Sequence, residues 1–176
     1  MKFKIPAYVV LIVLIALLQP TLLEYFKISG VKPNLPVIFI VSAALIRGSA
    51  EGAAAGFFSG LAQDMLGGKV LGPYALMGLY LGLAVGSLNR RLYRENVFVA
   101  VITTFFSTII YEALLCLFNL FVFNASARIN VHAINALKRV ILLEAAYNGV
   151  FSVFIYMFLM KLNHRYEEAV KTSRKY

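Results

Sequence analysis

Apolar residues fall into six long runs, 5–23, 35–46, 49–66, 72–89, 97–123 and 139–160, separated by short polar stretches. A helix that crosses the hydrocarbon core of a bilayer needs about 20 mostly apolar residues, within a range of about 17–25. Five of the runs reach that length. The second, 35–46, offers only about 18 Å of helix at about 1.5 Å per residue. The stretches between the runs are turn-like or charged: 29–34 holds Gly30 and Pro33, 67–69 reads Gly-Gly-Lys, 90–96 is the most charged, 124–138 is the longest, and 161–176 is a basic tail. This pattern predicts an all-α integral membrane fold, a six-transmembrane-helix bundle forming one polytopic domain over 1–176.

Composition supports the bilayer as solvent. The chain is 61% apolar with a mean hydropathy of +0.79, and 14% of its residues are charged; soluble domains are about 45–50% apolar. No Trp is present, so aromatic anchoring at the interface falls to Tyr and Phe. Lys2 and Lys4 before an apolar stretch resemble a signal peptide, but a run of about 18 residues exceeds the usual h-region of about 7–15. No small-x-small cleavage site follows, so an uncleaved first helix is expected.

The net charge of +9 would suggest nucleic acid in a soluble protein, but these cations lie between apolar runs. With six spans and the N-terminus inside, the inner side holds eleven cations: Lys2, Lys4, Arg47, Arg90, Arg91, Arg94, Lys161, Arg165, Lys171, Arg174 and Lys175. The outer side holds six: Lys27, Lys32, Lys69, Arg128, Lys138 and Arg139. If the short second run were re-entrant, every later loop would change sides. The positive-inside rule therefore favours six spans with both termini cytoplasmic, and no nucleic-acid partner is expected.

Glycines recur every four residues in two places: Gly48, Gly52, Gly56 and Gly60 near the third run, and Gly78, Gly82 and Gly86 in the fourth, with Ala44 continuing the first series upstream. Such positions share one helix face. A face without side chains allows the close backbone approach that drives helix association in lipid. The ladders are candidates for packing within the chain, for docking a partner helix, or for lining a cavity.

Polar groups at membrane depth are functional candidates. Arg47 and Glu51 have the i,i+4 spacing of an ion pair. Asp64, beside Gln63, closes the third run, where it is placed to bond the turn or to pair with Lys69 or Arg139. Glu112 lies near the middle of the fifth run, with Tyr111 and Asn119 nearby. It reads as a satisfied structural carboxyl, a partner contact, or a proton or cation site. Glu144 and Asn148 share a face of the sixth run and read as a polar packing seam. Cys116 is a small packing residue, His132 an ordinary loop histidine, and Asn124-Ala125-Ser126 a chance glycosylation match. The spacing shows no nucleophile–base set, paired-carboxylate site, phosphate loop or metal cluster, so no enzyme activity, cofactor or metal is expected.

One stretch carries a family likeness. Lys32-Pro33-Asn34-Leu35-Pro36 is followed by Arg47-Gly48-Ser49-Ala50-Glu51-Gly52, Gly56-Phe57, Gly60-Leu61-Ala62-Gln63-Asp64, Leu71-Gly72-Pro73-Tyr74-Ala75-Leu76 and Gly86. Together these resemble the MreD family of bacterial rod-shape-determining membrane proteins. The resemblance covers about 32–96; beyond it only the hydropathy agrees. It implies a non-enzymatic scaffold of the cell-elongation machinery in the cytoplasmic membrane, helping to control peptidoglycan synthesis and cell shape. The partner it implies is MreC, a single-span protein, with MreB and the RodA-type synthase and its transpeptidase in the same assembly. The implied fold is similar to the S component of energy-coupling-factor transporters, and this supplies the alternative of a vitamin-binding transporter subunit.

Overall fold

A computed structural model describes residues 4–21, 27, 30–67, 71–88, 96–122 and 131–173. The expectations placed on 68–70, on the charged stretch 90–94, on Asn124-Ala125-Ser126 and on the side chain of His132 lie outside the described residues. The described chain is all-helical: α1 (Lys4–Thr21), α2 (Leu35–Arg47), α3 (Ser49–Gly67), α4 (Pro73–Leu88), α5 (Val97–Val122) and α6 (Val131–Ser173).

α2 lies at the centre. Every residue from Leu35 to Ile46 is buried, and the helix touches α1, α3, α4, α5 and α6. A helix that is apolar on all sides must be enclosed, and here the other five helices enclose it. The shortness that set the second run apart thus belongs to the innermost element of the bundle.

Two polar ends fix the length of α2. Asn34 is its N-cap, accepting from the Val37 N–H at 3.4 Å, and Pro36 occupies the first turn, where its missing N–H costs nothing. Gly48 closes the other end with φ +92°, a conformation that side chains disfavour, and its N–H donates to the Ala44 carbonyl at 2.8 Å. Gly48 is therefore the C-cap of α2, not a member of the α3 face as the ladder spacing suggested. The chain passes through this one residue into α3.

α3 and α4 form an antiparallel hairpin in a fixed register. Gly52 lies against Gly82, Gly56 against Gly78, and Gly60 against Tyr74, while Gly86 meets Ser49 and Gly48. A methyl group on Gly56 would collide with the Gly78 backbone, and one on Gly60 with the Tyr74 carbonyl. Gly52 is closed in from both sides: a Cβ there would sit 2.6 Å from the Ala44 Cβ and 2.9 Å from the Gly82 carbonyl oxygen. The glycine faces are thus occupied within the chain.

Among the described residues, two helices are long and apolar enough to cross a membrane by length and composition, over Val97–Asn119 in α5 and Arg139–Glu168 in α6. The first, second and fourth helices are shorter apolar segments. α6 differs most from expectation. It covers Val131–Ser173 instead of 139–160, so half of the expected outer loop and most of the expected tail are helical. Its 43 residues make about 64 Å of helix, roughly twice the hydrocarbon thickness of about 30 Å. Hydropathy marked only the apolar middle of this helix, because Lys161, His164, Arg165, Glu167 and Glu168 mask its continuation.

The glycine register yields a direct prediction. Gly56→Ala or Gly78→Ala should lower the unfolding free energy of the detergent-purified protein by about 1–3 kcal/mol or more, because backbone, not a flexible side chain, stands in the way. Gly67→Ala, where a Cβ meets nothing within 4 Å, should change it by less than about 0.5 kcal/mol.

Candidate functional site

The start of α2 gathers polar groups from four elements. The Asn34 N–H donates to Asn148 Oδ1 of α6 at 2.7 Å, and its side-chain amide donates to Glu112 Oε1 of α5 at 3.3 Å. Asn148 Nδ2 donates to the Thr108 hydroxyl at 3.0 Å, which donates in turn to the Thr104 carbonyl at 2.8 Å. From α1, the Gln19 amide donates to the Pro33 carbonyl and accepts from the Leu35 N–H, both at 3.1 Å. The first N–H groups of a helix have no partner within it. In an apolar bundle they must find side chains, and Gln19, Asn34 and Asn148 supply them.

Glu112 and Glu144 meet at this junction. Their carboxyl groups hydrogen-bond to each other and to Asn34, and Lys32 lies within electrostatic reach of Glu144. The sequence suggested no paired carboxylates, and the structure corrects this. The two residues sit on different helices, so no spacing reveals them. Beside them the Tyr111 hydroxyl is buried, with no hydrogen-bond partner among the described residues.

Asp64 has a separate task. It is 1% exposed and accepts from the Tyr74 N–H at 3.2 Å and the Ala75 N–H at 3.0 Å. The residue preceding α4 is Gly72, at φ +116°, which has no side chain to cap the helix. Asp64 reaches across from α3 and caps α4 in its place. Of the alternatives open to it, the structure shows the bond to the turn backbone.

A family model described as rod shape-determining protein MreD matches residues 1–162. The chain belongs to the MreD family. That places it in a shape-determining membrane family rather than an enzyme family. No curated protein and no solved structure matches the chain.

In this MreD-family chain the other candidates lie away from the α2 N-terminus. Arg47 and Glu51 approach to 3.7 Å at the opposite end of α2, and the Arg47 guanidinium stands 5.6 Å from the centre of the Tyr166 ring. That ring belongs to the part of α6 beyond the expected span, so the extension is fastened to α2 by a cation–π contact. Asn119 bonds the Leu115 carbonyl of its own helix. Cys116 is half-buried and free. The described residues contain no group of three or more potential metal ligands.

Sequence reasoning missed Gln19, Asn34 and Thr108 as members of the junction. Asn34 did carry a signal: an Asn two residues before a Pro, at the start of an apolar run, is a helix N-cap pattern. Gln19 and Thr108 carried none.

Asn148 holds two helices to the start of α2. Asn148→Leu leaves the Asn34 N–H without its acceptor and removes the donor to the Thr108 hydroxyl, and should cost about 1–3 kcal/mol in detergent unfolding. Asn119→Leu, at an exposed position, should stay within about 0.5 kcal/mol of wild type.

Proposed function

We propose that this chain is a non-enzymatic membrane scaffold of the cell-elongation machinery, which binds an MreC-type single-span protein and so helps direct peptidoglycan synthesis and cell shape. The family match over residues 1–162 carries this reading. The structure is compatible with it in a specific way. Asn34, Asp64, Gln19 and Asn148 spend their hydrogen bonds on holding helices together, which is work expected of a scaffold. MreB and the RodA-type synthase with its transpeptidase belong to the same proposed assembly.

In this reading the six helices all cross the cytoplasmic membrane, both termini are cytoplasmic, and the bundle keeps the S-component-like fold that the family resemblance implies. The glycine faces are closed within the chain, so the partner helix docks elsewhere. Exposed apolar side chains such as Tyr80 on α4, Phe98 and Phe106 on α5, and Phe154 on α6 supply the surface facing lipid or partner.

Depleting the protein in its own rod-shaped host should round the cells, and a tagged copy extracted in mild detergent should bring down a single-span membrane protein. Cells that stay rod-shaped, or an eluate without such a partner, would overturn the scaffold reading. For the topology, a reporter active only in the cytoplasm should work when fused after Tyr176 and fail when inserted between residues 27 and 32. The opposite pattern at either position rules out six spans with inner termini.

A further inference from the structure

We propose that Glu112 and Glu144 form a proton-binding site in which the two carboxyls share a single proton, and that this proton locks α5 to α6 at the N-terminus of α2. An ionised carboxylate only accepts hydrogen bonds. Two carboxyl groups that hydrogen-bond to each other therefore need a proton between them, and Glu112 and Glu144 stand within such reach around Asn34, which donates to Glu112 at 3.3 Å and to Asn148, one turn from Glu144, at 2.7 Å.

The surroundings set the number of protons at one. With none, two like charges meet in a half-buried site where the Asn34 amide is the donor they share. With two, the pair loses its negative charge, although it faces Lys32 and the N-terminus of α2. A helix N-terminus carries partial positive charge and favours an anion. A singly protonated pair keeps both the mutual hydrogen bond and the single charge that this end of α2 attracts. Asn34 joins the two effects, since its amide donates to Glu112 while its carbonyl oxygen caps α2.

Tyr111 supplies an independent sign. The residue is 2% exposed, and its hydroxyl has no hydrogen-bond partner among the described residues and lies in the electrostatic field of Glu112, Tyr74, Asp64 and Glu144. A buried phenol hydrogen left without a partner marks the polar ground near the pair as incompletely satisfied. The described residues hold no third acidic, His or Cys ligand beside the pair.

The charged and titratable groups facing the pair are Lys32 on the segment before α2, Asp64 on α3, Tyr74 on α4 and Tyr111 on α5; from α1 comes only the uncharged Gln19. Asp64 is held by two backbone N–H groups.

The test is thermal unfolding of the full-length protein in detergent from mildly acidic to mildly alkaline pH. The folded pair holds one proton more than two separate carboxyls do in the unfolded chain, so stability must fall as pH rises. Wild type should lose several degrees of Tm across the range. Glu112→Gln and Glu144→Gln place a permanent amide donor in the contact and should flatten the profile. Glu51→Gln, at the other end of α2, should keep the wild-type slope. The infrared carbonyl band of a protonated carboxylic acid should be present in wild type and lost in both Gln variants, and this readout stands even if a variant folds poorly. A flat wild-type profile, a slope that survives in both Gln variants, no such band in wild type, or a Tm that follows sodium or potassium at fixed pH would each overturn the proposal. It rests on helix contacts alone, so its failure leaves the partner reading untouched, and the reverse.

Discussion

A helix with no polar side has to be surrounded, and its ends have to be answered by something other than water. Leu35 to Ile46 are buried on every face, so the five other helices are arranged by what α2 requires. Its side surface demands close neighbours all round, and its two ends demand partners for backbone groups that a helix cannot satisfy internally. In a lipid bundle both demands are stringent, because an unsatisfied backbone group in hydrocarbon costs several kcal/mol. The polar residues of the membrane region sort themselves accordingly. Gln19, Asn34, Glu112, Glu144 and Asn148 collect at the first end of α2, and Gly48 and Arg47 finish the other.

The enclosing helices divide into two pairs. α3 and α4 pack through glycine, so their backbones touch and nothing fits between them. α5 and α6 pack on each other through side chains, and Ala100, Thr104, Thr108 and Ala145 on their contact faces are fully or almost fully buried. Among the described residues, α6 touches α2 and α5 but neither α3 nor α4. α2 is therefore the strut between a rigid glycine hairpin and a longer, side-chain-packed pair. Close backbone packing leaves the hairpin one register. The second pair is held to the strut by hydrogen bonds and by Arg47 under the Tyr166 ring, contacts that depend on the state of the groups making them.

What the sequence revealed follows the same division. The glycine spacing announced the α3–α4 face because periodicity within one helix is visible in one dimension, and the facing register needed only a second ladder of the same period. The central place of α2 was hidden for a physical reason: hydropathy measures aversion to water and does not separate a lipid-facing helix from one enclosed by protein. The 35–46 run therefore read as a weak span. The ends of α6 were hidden because charge at Lys161 and beyond lowers hydropathy without ending a helix; no Pro or Gly interrupts the chain from 150 to 173. The Glu112–Glu144 contact was hidden because it is a tertiary event between two helices, each of which presents a lone carboxylate.

The position of that contact matters for the bundle. Asp64 and the carboxyl pair stand in the same relation to the helices beside them, acidic groups at the N-termini of α4 and α2. Their consequences differ. Asp64 bonds two backbone N–H groups of α4 directly, so it secures a hairpin whose glycine contacts already fix it. The carboxyl pair acts through Asn34 and joins α5 and α6 to the strut, where no glycine contact fixes the geometry. The junction at Asn34 therefore decides how the longer pair stands against the rigid hairpin, while the extension of α6 past Tyr166 carries that position beyond the apolar region. The bundle thus has one part fixed by backbone contact and one held by side-chain hydrogen bonds, and Asn34 joins the second part to the strut.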